Sequence, residues 1–287
     1  MKTYLVTGAS GFIGSRLANQ LSDSGAKVIA FTRKDIDNPS IQQIFGDYAN
    51  LDDLAQLKDL EIDVVIHLAG VTGDALEEDA MVVNVAGTSR FLRFMIDLGV
   101  KKFVTASSIA AVGCLTADFM PRSLPIKDDH PCDSANVYGL SKFFVEEISK
   151  YFSRLHQDVD FTLFRIGVVL AEAAVVADED RISKMWRPFC TLGCISVTDV
   201  VDAFQKAVQR RVESGVHIMN LVADKSYSAI PTIDALKLAL GERAEDLDLS
   251  FYKKPGNEHA GLYDLSAIRK FIEFEVSIDL QTMCKRS

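Results

Sequence analysis

The chain has 287 residues, of which 48% are hydrophobic, and it carries a formal net charge of −9. A chain of this length and composition buries a substantial core and is not disordered. The charge is acidic and has no long block of one sign, which argues against general affinity for nucleic acid or for an anionic membrane. We expect a cytoplasmic protein, because the N-terminus lacks a signal core and no apolar run is long enough to cross a bilayer.

Six apolar, β-rich runs recur through the first 170 residues, and amphipathic segments separate them. Because parallel strands need a crossover that is usually helical, this alternation predicts a doubly wound α/β domain, in which helices cover both faces of a parallel sheet. Residues 171–193 interrupt this alternation of strand-like and helix-like segments. Beyond them, the clearest predicted helix is at 231–242. The predicted strands are TYLVT (3–7), KVIAFT (27–32), QQIFGD (42–47), DVVIHLAG (63–70), KKFVTASS (101–108) and DFTLFRIGVVL (160–170).

Three glycines follow the first predicted strand directly. Gly8, Gly11 and Gly14 form a GxxGxxG pattern that runs into a helix-like segment. Glycine permits a tight turn and a close backbone approach, and the unpartnered N–H groups at the start of a helix attract an anion. In this strand–turn–helix context the pattern predicts a site for the pyrophosphate of a nucleotide. The alternative is a glycine-rich turn that only joins two elements.

Two serines, Ser107 and Ser108, end the fifth predicted strand and therefore lie at the edge of the sheet where such folds bind ligands. A hydroxyl at this position can hydrogen-bond to a substrate oxygen as charge develops on it. Serine pairs at strand ends also cap turns without a catalytic role. Both interpretations stay open from the sequence.

A tyrosine and a lysine, Tyr138 and Lys142, are spaced i, i+4 in the segment NVYGLSKFFVEE, so they share one face of a helix. A lysine ammonium near a tyrosine favours the phenolate and lowers a pKa that starts at about 10. Tyrosine then becomes a usable proton donor or acceptor near neutrality. An exposed helix with an ordinary tyrosine and lysine is the alternative.

In their order and spacing, these motifs resemble those of the extended short-chain dehydrogenases/reductases, the NAD(P)-dependent epimerase/dehydratase family, which acts largely on nucleotide sugars. The resemblance implies a Rossmann fold over residues 1–170, with a return at about 192–220. It also implies a smaller substrate-binding region formed by residues 171–191 and 221–287. The motifs that carry it are TGASGFIG, GDYANLDDL, VIHLAG, NVAGT, SSIAAVG, YGLSK, FRIGVVLA and ISVTDVVDAF.

The same resemblance implies a catalytic site and a cofactor site. Ser108 corresponds to the catalytic serine, Tyr138 to the acid/base, and Lys142 to the residue that holds the nicotinamide ribose and tunes the tyrosine. Asp47 and Tyr48 correspond to an adenine-contacting pair. The implied cofactor-binding residues are Gly8, Gly11, Phe12, Ile13, Gly14, Asp47, Tyr48, Leu68, Ala69, Gly70, Thr72, Asn84, Ser107, Tyr138 and Lys142.

Thr32 ends the second predicted strand, where NAD-binding relatives place an acidic residue that accepts hydrogen bonds from the ribose hydroxyls. A carboxylate would repel the additional phosphate of NADP, whereas Thr32 does not, and the guanidinium of Arg33 can bind that phosphate. We therefore include Thr32 and Arg33 in the cofactor site and predict NADP, with NAD as a possible cofactor. The alternative is that Arg33 and Lys34 are solvated loop charges.

Together these features predict an NADP-dependent oxidoreductase that reduces a ketone on a nucleotide-linked or related sugar. One alternative is an NAD(P)-dependent nucleotide-sugar epimerase, and another is an NADP-sensing regulatory protein without turnover. The segment that precedes ISVTDV is short where sugar-binding relatives have an insertion. The nearby candidates for binding a nucleotide diphosphate are Arg181, Lys184, Trp186 and Arg187.

Two helical segments carry more large apolar side chains than one core-facing stripe requires, and relatives often pair through these helices. We therefore expect a homodimer. The surplus residues are Phe91, Phe94, Met95, Phe143 and Phe144.

The remaining histidine and cysteine positions are expected to be structural. His67 lies inside an apolar strand run and is predicted to pack rather than to catalyse. The five cysteines form no CxxC pairs, which favours reduced packing thiols over a disulfide framework or a metal site. They are Cys114, Cys132, Cys190, Cys194 and Cys284.

Overall fold

The computed structural model describes residues 2–72, 76–171, 174 and 176–281, so Cys284 lies outside the described residues. The strands are β1 Thr3–Thr7, β2 Lys27–Thr32, β3 Gln42–Phe45, β4 Val64–His67, β5 Lys102–Ser108, β6 Asp160–Ile166, β7 Val168–Leu170, β8 Cys194–Ser196 and β9 Gly215–Leu221. The helices are α1 Phe12–Asp23, α2 Leu51–Leu54, α3 Glu77–Asp79, α4 Thr88–Asp97, α5 Val137–Leu155, α6 Glu179–Ser183, α7 Pro188–Thr191, α8 Val197–Gln209, α9 Thr232–Leu240 and α10 Ser266–Ile272.

The main sheet has seven strands in the order β3-β2-β1-β4-β5-β6-β9. Parallel pairing is set by the registers Leu5↔Ile29 between β1 and β2 and Leu5↔Val65 between β1 and β4. From β1 the chain adds β2 and β3 toward one edge of the sheet, and it then adds β4, β5, β6 and β9 toward the other edge. The doubly wound fold is therefore confirmed, and its topological switch point lies between β1 and β4, where folds of this kind bind ligands.

The last predicted strand, residues 160–170, is divided between two sheets. β6 belongs to the main sheet, whereas β7 pairs parallel with β8 in a separate two-stranded sheet. Gly167 separates them, and a Cβ on it would lie 2.3 Å from the carbonyl oxygen of Gly193. Glycine at position 167 permits this close approach of two backbones. Because β6 and β7 lie in different sheets, the expectation of one continuous strand is wrong.

The contacts within the chain divide it into two compact units. Unit 1 contains residues 1–107, 140–164 and 204–218. Unit 2 contains residues 108–139, 165–203 and 219–287. Among the described residues, no helix is both long enough and apolar enough to span a membrane.

The core of unit 1 is built where apolar strand residues meet the inward faces of the helices. Leu5, Val65 and Phe103 are fully buried in one cluster with Phe91 and Met95 of α4. Burying one side chain of this size fully contributes about 1.5–3 kcal/mol. This cluster fixes the strands whose carboxyl ends carry the candidate cofactor residues.

Two of the residues expected at a dimer surface belong instead to this core. Phe91 and Met95 have no exposed surface, because their positions on α4 face the sheet. Phe94, Phe143 and Phe144 are half-buried. The apolar surplus of the two helices is therefore smaller than the sequence indicates.

A buried carboxylate connects two distant segments of unit 2. The Oγ of Ser196 donates to Oδ2 of Asp199 at 2.8 Å, and the backbone N–H of Asp199 donates to that Oγ at 3.0 Å, which forms a reciprocal cap at the start of α8. The other carboxylate oxygen, Oδ1, accepts from the N–H of Ser277 at 2.8 Å and from its Oγ at 2.6 Å. Asp199 thereby ties the C-terminal segment to α8.

Candidate active site

The glycine turn joins β1 to α1 in unit 1. Gly8 has a φ of +71°, which favours glycine, and a Cβ on it would lie 2.7 Å from the backbone nitrogen of Ala69. A Cβ on Gly14 would lie 2.1 Å from the carbonyl oxygen of Gly8. Gly11 precedes α1 without a side-chain cap, so the first N–H groups of the helix are left for an anion. The turn fits the pyrophosphate of a dinucleotide.

Two residues of the turn's helix have different environments. Phe12 is 44% exposed, and the guanidinium of Arg16 lies over its ring at 4.4 Å from the centroid. Ile13 is half-buried. Both begin α1 directly after Gly11, so their backbone N–H groups belong to the unsatisfied first turn of that helix.

A pocket of about 290 Å³ lies beside the glycine turn in unit 1. It gathers residues from the ends of β1, β2, β3 and β4, as expected for the carboxyl edge of a parallel sheet. Its lining brings together many of the predicted cofactor residues. The lining residues are Gly8, Ser10, Gly11, Phe31, Thr32, Arg33, Lys34, Gly46, Asp47, Tyr48, Leu68, Ala69, Gly70 and Val83.

The end of β2 carries a hydroxyl where an acidic residue would bind ribose hydroxyls. Thr32 is buried, and its Oγ1 donates to the carbonyl oxygen of Lys34 at 2.9 Å. Nη1 of Arg33 lies 3.8 Å from Oδ2 of Asp47, and the two side chains are 75% and 40% exposed. An exposed pair at this distance is weak, so the guanidinium is not held away from a ligand.

The two predicted adenine-contacting residues, Tyr48 and Asp47, are each held by hydrogen bonds within unit 1. The hydroxyl of Tyr48 donates to the carbonyl oxygen of Val83 at 3.0 Å, and its ring packs edge-on against His67. Burial raises the pKa of Tyr48 above its usual value. Oδ1 of Asp47 accepts from the N–H of Ala49 at 2.9 Å, which fixes the turn after β3.

Asn84 holds the loop that follows β4. It is fully buried within a widened helical turn, Ala80–Gly87, that precedes α4. Its Oδ1 accepts from the N–H of Val71 at 2.9 Å, while its Nδ2 donates to the carbonyl oxygen of Val71 at 3.1 Å and to Oγ of Ser141 at 3.0 Å. These bonds position Gly70, and Thr72 beyond them is exposed.

His67 is a structural link rather than a titrating group. Nδ1 lies 2.8 Å from Oγ1 of Thr7, and Nε2 lies 2.9 Å from Oγ1 of Thr88, so one ring joins β1, β4 and α4. Burial and the nearby charge of Lys142 lower the pKa of His67 to about 3. A neutral, doubly bonded imidazole agrees with the packing role expected from the sequence.

Lys142 lies on α5 with its ammonium inside unit 1. The side chain is buried, and Nζ donates to the carbonyl oxygen of Ala106 at 3.0 Å. A Cβ on Gly70 would lie 3.6 Å from Nζ, which places the ammonium beside the loop after β4. Burial lowers the pKa of Lys142 to about 8. The ammonium therefore lies among the residues predicted to hold the cofactor.

The sequence analysis missed a buried carboxylate one turn beyond this lysine on α5. Oγ of Ser107 donates to Oε1 of Glu146 at 2.6 Å, and Glu146 has no exposed surface. Ser107 thus joins β5 to α5 through its side chain. A Glu one turn beyond Lys142 on the same helix face was the signal available in the sequence.

Ser108 and Tyr138 are brought together within unit 2. Oδ1 of Asn136 accepts from the N–H of Tyr138 at 3.0 Å and caps α5. A Cβ on Gly139 would lie 2.2 Å from the carbonyl oxygen of Ala110, so only glycine lets α5 pack this closely on the turn after Ser108. The hydroxyls of Ser108 and Tyr138 consequently form a hydrogen bond.

The acidity of Tyr138 departs from the expectation. We expected the ammonium of Lys142 to lower the pKa of the phenol. Burial instead raises the pKa of Tyr138, the hydrogen bond to Ser108 lowers it, and the charges of Cys190 and Cys114 raise it further. In this state the phenol is protonated at neutral pH and is ready to act as a hydrogen-bond donor.

The predicted diphosphate candidates have different surroundings. The ammonium of Lys184 is paired with Asp180 at 2.7 Å, and Arg181 is exposed. The guanidinium of Arg187 stacks on the ring of Trp186 at 3.5 Å from the centroid. Nε of Arg187 is buried without a hydrogen-bond partner among the described residues. Of the four residues, Arg187 is the one with unused donor capacity at a buried atom.

The doubly wound sheet and the glycine turn at its switch point are features of the short-chain dehydrogenases/reductases. Residues 4–221 match the model of the NAD dependent epimerase/dehydratase family. The chain belongs to this family and is an NAD(P)-dependent enzyme of the epimerase/dehydratase type.

Named relatives agree with this placement. The UDP-glucose 4-epimerase of Haemophilus influenzae is 27% identical over 284 residues, covering 82% of this chain and 82% of the relative. The UDP-glucose 4-epimerase of Mus musculus is 27% identical over 275 residues, covering 86% of this chain and 77% of the relative. The chain is thus similar to these epimerases over most of its length.

Solved structures share the fold. A short-chain dehydrogenase/reductase superfamily protein of Agrobacterium tumefaciens with bound NAD superposes with a TM-score of 0.72 at 19% identity, covering 99% of this chain and 95% of that chain. MoeE5 in complex with UDP-glucose and NAD gives a TM-score of 0.71 at 22% identity, covering 99% and 96%. At these identities the likeness concerns the fold.

Proposed function

We propose that the protein is an NAD(P)-dependent 4-epimerase of a nucleoside-diphosphate sugar. The observation that carries the proposal is the hydrogen bond between Ser108 and Tyr138. The similarity of the chain to UDP-glucose 4-epimerases over most of its length also supports the proposal. A hydroxyl pair of this kind suits proton transfer at a secondary alcohol or ketone. The epimerase alternative of the sequence analysis thereby takes precedence over ketone reduction.

Each residue has a defined task in this proposal. Tyr138, after it has lost its phenolic proton, takes the proton from the sugar hydroxyl and later returns it to the carbonyl oxygen. Ser108 donates a hydrogen bond to that oxygen as its charge changes. Lys142, one turn along α5, binds the ribose of the cofactor. A bound nicotinamide cofactor would supply the reversible hydride acceptance that this chemistry needs. The glycine turn holds the pyrophosphate.

Ketone reduction is the second candidate, because one local feature favours it. Thr32 leaves β2 without a terminal carboxylate, and Arg33 is exposed beside it. This arrangement suits the phosphate of NADP, a cofactor that reductases consume and release. An epimerase instead recycles its cofactor.

Incubation with UDP-galactose distinguishes the two candidates. The epimerase produces UDP-glucose, seen by proton NMR, with no net oxidation of added NADH or NADPH. A reductase leaves UDP-galactose unchanged and oxidises one equivalent of NADPH for each molecule of a UDP-4-keto sugar reduced. The second pattern would reject the epimerase proposal.

Replacing Arg33 with alanine is expected to weaken NADP binding by about tenfold, since a charge-assisted hydrogen bond contributes about 1.5–3 kcal/mol. NAD binding should change little. Titration of the purified protein with both cofactors, followed by fluorescence, measures the difference. Lys27→Ala, at the opposite end of β2, is the matched control. Equal losses for NADP and NAD in Arg33→Ala would contradict the proposed NADP contact.

A homodimer through α4 and α5 is also proposed. A groove of about 590 Å³ lies along this face of unit 1, and both aromatic side chains and arginines line it. We call it the α4/α5 face. Its residues are Leu51, Ala86, Ser89, Arg90, Arg93, Phe94, Asp97, Tyr151 and Phe152.

Tyr151→Glu is expected to convert the dimer to a monomer, because Tyr151 is 48% exposed on the α4/α5 face, and the substitution replaces apolar contact area with a carboxylate that dimerisation would have to desolvate. Light scattering at micromolar concentration measures the mass. Leu238→Glu, at an exposed position on α9, is the control and should leave the mass unchanged. A monomeric wild-type protein would refute the dimer.

A further inference from the structure

Two side chains of α5 hold the end of strand β5 by hydrogen bonds within unit 1. Nζ of Lys142 donates to the carbonyl oxygen of Ala106 at 3.0 Å. One helical turn further on, Oε1 of Glu146 accepts from Oγ of Ser107 at 2.6 Å. Lys142 and Glu146 are spaced i, i+4, so they project from the same face of the helix. The two bonds therefore reach consecutive residues of the strand.

The bond between Ser107 and Glu146 lies in the interior of unit 1. Glu146 has no exposed surface, and Ser107 is 3% exposed. A length of 2.6 Å is in the range of a hydroxyl that donates to a carboxylate. Because water does not compete for either group, the bond holds the Ser107 side chain in one direction.

Both bonds act on the same peptide group. The carbonyl of Ala106 belongs to the planar unit that ends at the Cα of Ser107. Anchoring the Ser107 side chain therefore restricts the rotation of this plane and fixes the direction in which the Ala106 carbonyl points. The ammonium of Lys142 is a compact charge on a flexible stem, so its position depends on this acceptor.

The position that the ammonium takes is beside the loop after β4. A Cβ on Gly70 would lie 3.6 Å from Nζ of Lys142. Gly70 lines the same pocket as Gly8 and Gly11 of the glycine turn. A displacement of the ammonium by about 1 Å is enough to break a hydrogen bond to a ligand there.

We infer that Glu146 is a positioning residue for Lys142. Through Ser107 it fixes the Ala106 carbonyl, and that carbonyl directs the lysine ammonium toward the nicotinamide ribose of the cofactor. This role rests on the proposed function, in which Lys142 binds that ribose, and it is the same in an epimerase and in a reductase. Glu146 itself does not contact the cofactor.

The test compares the affinities of the full-length protein for NAD and for ADP by isothermal titration calorimetry. ADP has the adenosine diphosphate part of NAD but lacks the nicotinamide ribose. Glu146→Leu removes the acceptor and should weaken NAD binding by about tenfold, the effect of losing a hydrogen bond from a charged donor. Binding of ADP should change by less than about twofold, since the glycine turn is untouched.

A second variant keeps the test available if the buried hydroxyl of Ser107 prevents Glu146→Leu from folding. Ser107→Ala/Glu146→Leu removes both partners and leaves neither unsatisfied, which is better tolerated than the loss of one. It should show the same selective loss of NAD affinity. A thermal melt shows that each variant is folded.

The Lys142→Met background shows whether Glu146 acts through the lysine. Adding Glu146→Leu to Lys142→Met should weaken NAD binding by less than about twofold more, because the ammonium that Glu146 positions is absent. Glu146→Gln keeps an acceptor oxygen and should retain NAD affinity within about threefold. Glu147→Leu is the matched control, since this carboxylate is 40% exposed and pairs with Lys150, and it should change neither affinity.

A purely structural role of Glu146 predicts a different pattern, in which a less stable protein loses affinity for NAD and ADP equally. That pattern, wild-type NAD affinity in a folded Glu146→Leu, or a further tenfold loss in the Lys142→Met background would overturn the inference. Unchanged NAD affinity in Lys142→Met would remove the role proposed for the lysine and that of Glu146 with it. Failure to convert UDP-galactose would count against the epimerase alone, because both affinities are measured without turnover.

Discussion

Replacement of Tyr138 with phenylalanine is expected to lower turnover by about 10²–10⁴-fold while leaving cofactor affinity almost unchanged. The substitution removes the hydroxyl that bonds to Ser108 and keeps the ring, so the packing of α5 on the turn after β5 is preserved. In the proposal the Tyr138 hydroxyl is the group that exchanges a proton with the sugar oxygen, and phenylalanine cannot do so.

Initial rates on the nucleotide sugar, together with a cofactor titration, measure the Tyr138→Phe effect. Tyr151→Phe lies on the same helix, keeps an aromatic side chain on the α4/α5 face, and should retain full turnover. Wild-type turnover in Tyr138→Phe would show that the catalytic assignment is wrong. An equal loss in cofactor affinity would indicate a structural role instead.

Lys142→Met is expected to raise the stability of the protein and to lower its affinity for the cofactor. The pKa of Lys142 falls from 10.5 to about 8 on burial, so at pH 7 the buried ammonium destabilises the cofactor-free protein. Methionine of similar length removes this cost and also loses the bond to Ala106, and the net gain in the free energy of unfolding should be about 1–3 kcal/mol. Cofactor affinity should fall by about 10–100-fold, because a charged donor to the ribose is lost.

The stability difference between Lys142→Met and the wild type is expected to depend on pH. The folded-state pKa lies below the unfolded one, so the destabilisation of the wild type is complete below about pH 8 and disappears as the pH rises toward 10.5. The advantage of Lys142→Met should shrink over the same range. Urea unfolding at pH 7 and pH 10 measures it. Lys150→Met, on a more exposed part of α5, should change the unfolding free energy by less than about 0.5 kcal/mol. A variant less stable than wild type at pH 7 would contradict the prediction.

The sequence was a good guide where local chemistry alone decides the structure. Alternating apolar runs predict the doubly wound sheet, and the GxxGxxG pattern predicts a turn that the backbone contacts of Gly8 and Gly14 show to require glycine. The order of motifs indicated the family, which the match over residues 4–221 confirms.

What the sequence did not predict depends on contacts between distant segments. The division of residues 160–170 between two sheets occurs at Gly167, where the backbone closely approaches that of Gly193. The buried bond between Ser107 and Glu146 joins residues 39 positions apart. Likewise, the raised pKa of Tyr138 reflects burial and the two thiols, neither of which a spacing of four residues encodes.

The hydrogen bonds of Asp199 bear on where a shortened version of this enzyme can end. The family match ends at Leu221, so sequence similarity alone would place the end of a shortened chain soon after that residue. Yet removal of Ser277 would leave a buried carboxylate oxygen without its two donors, and an unpaired buried charge destabilises a protein by several kcal/mol. The smallest chain that folds stably is therefore expected to extend past Ser277, more than fifty residues beyond the boundary that sequence likeness alone would set.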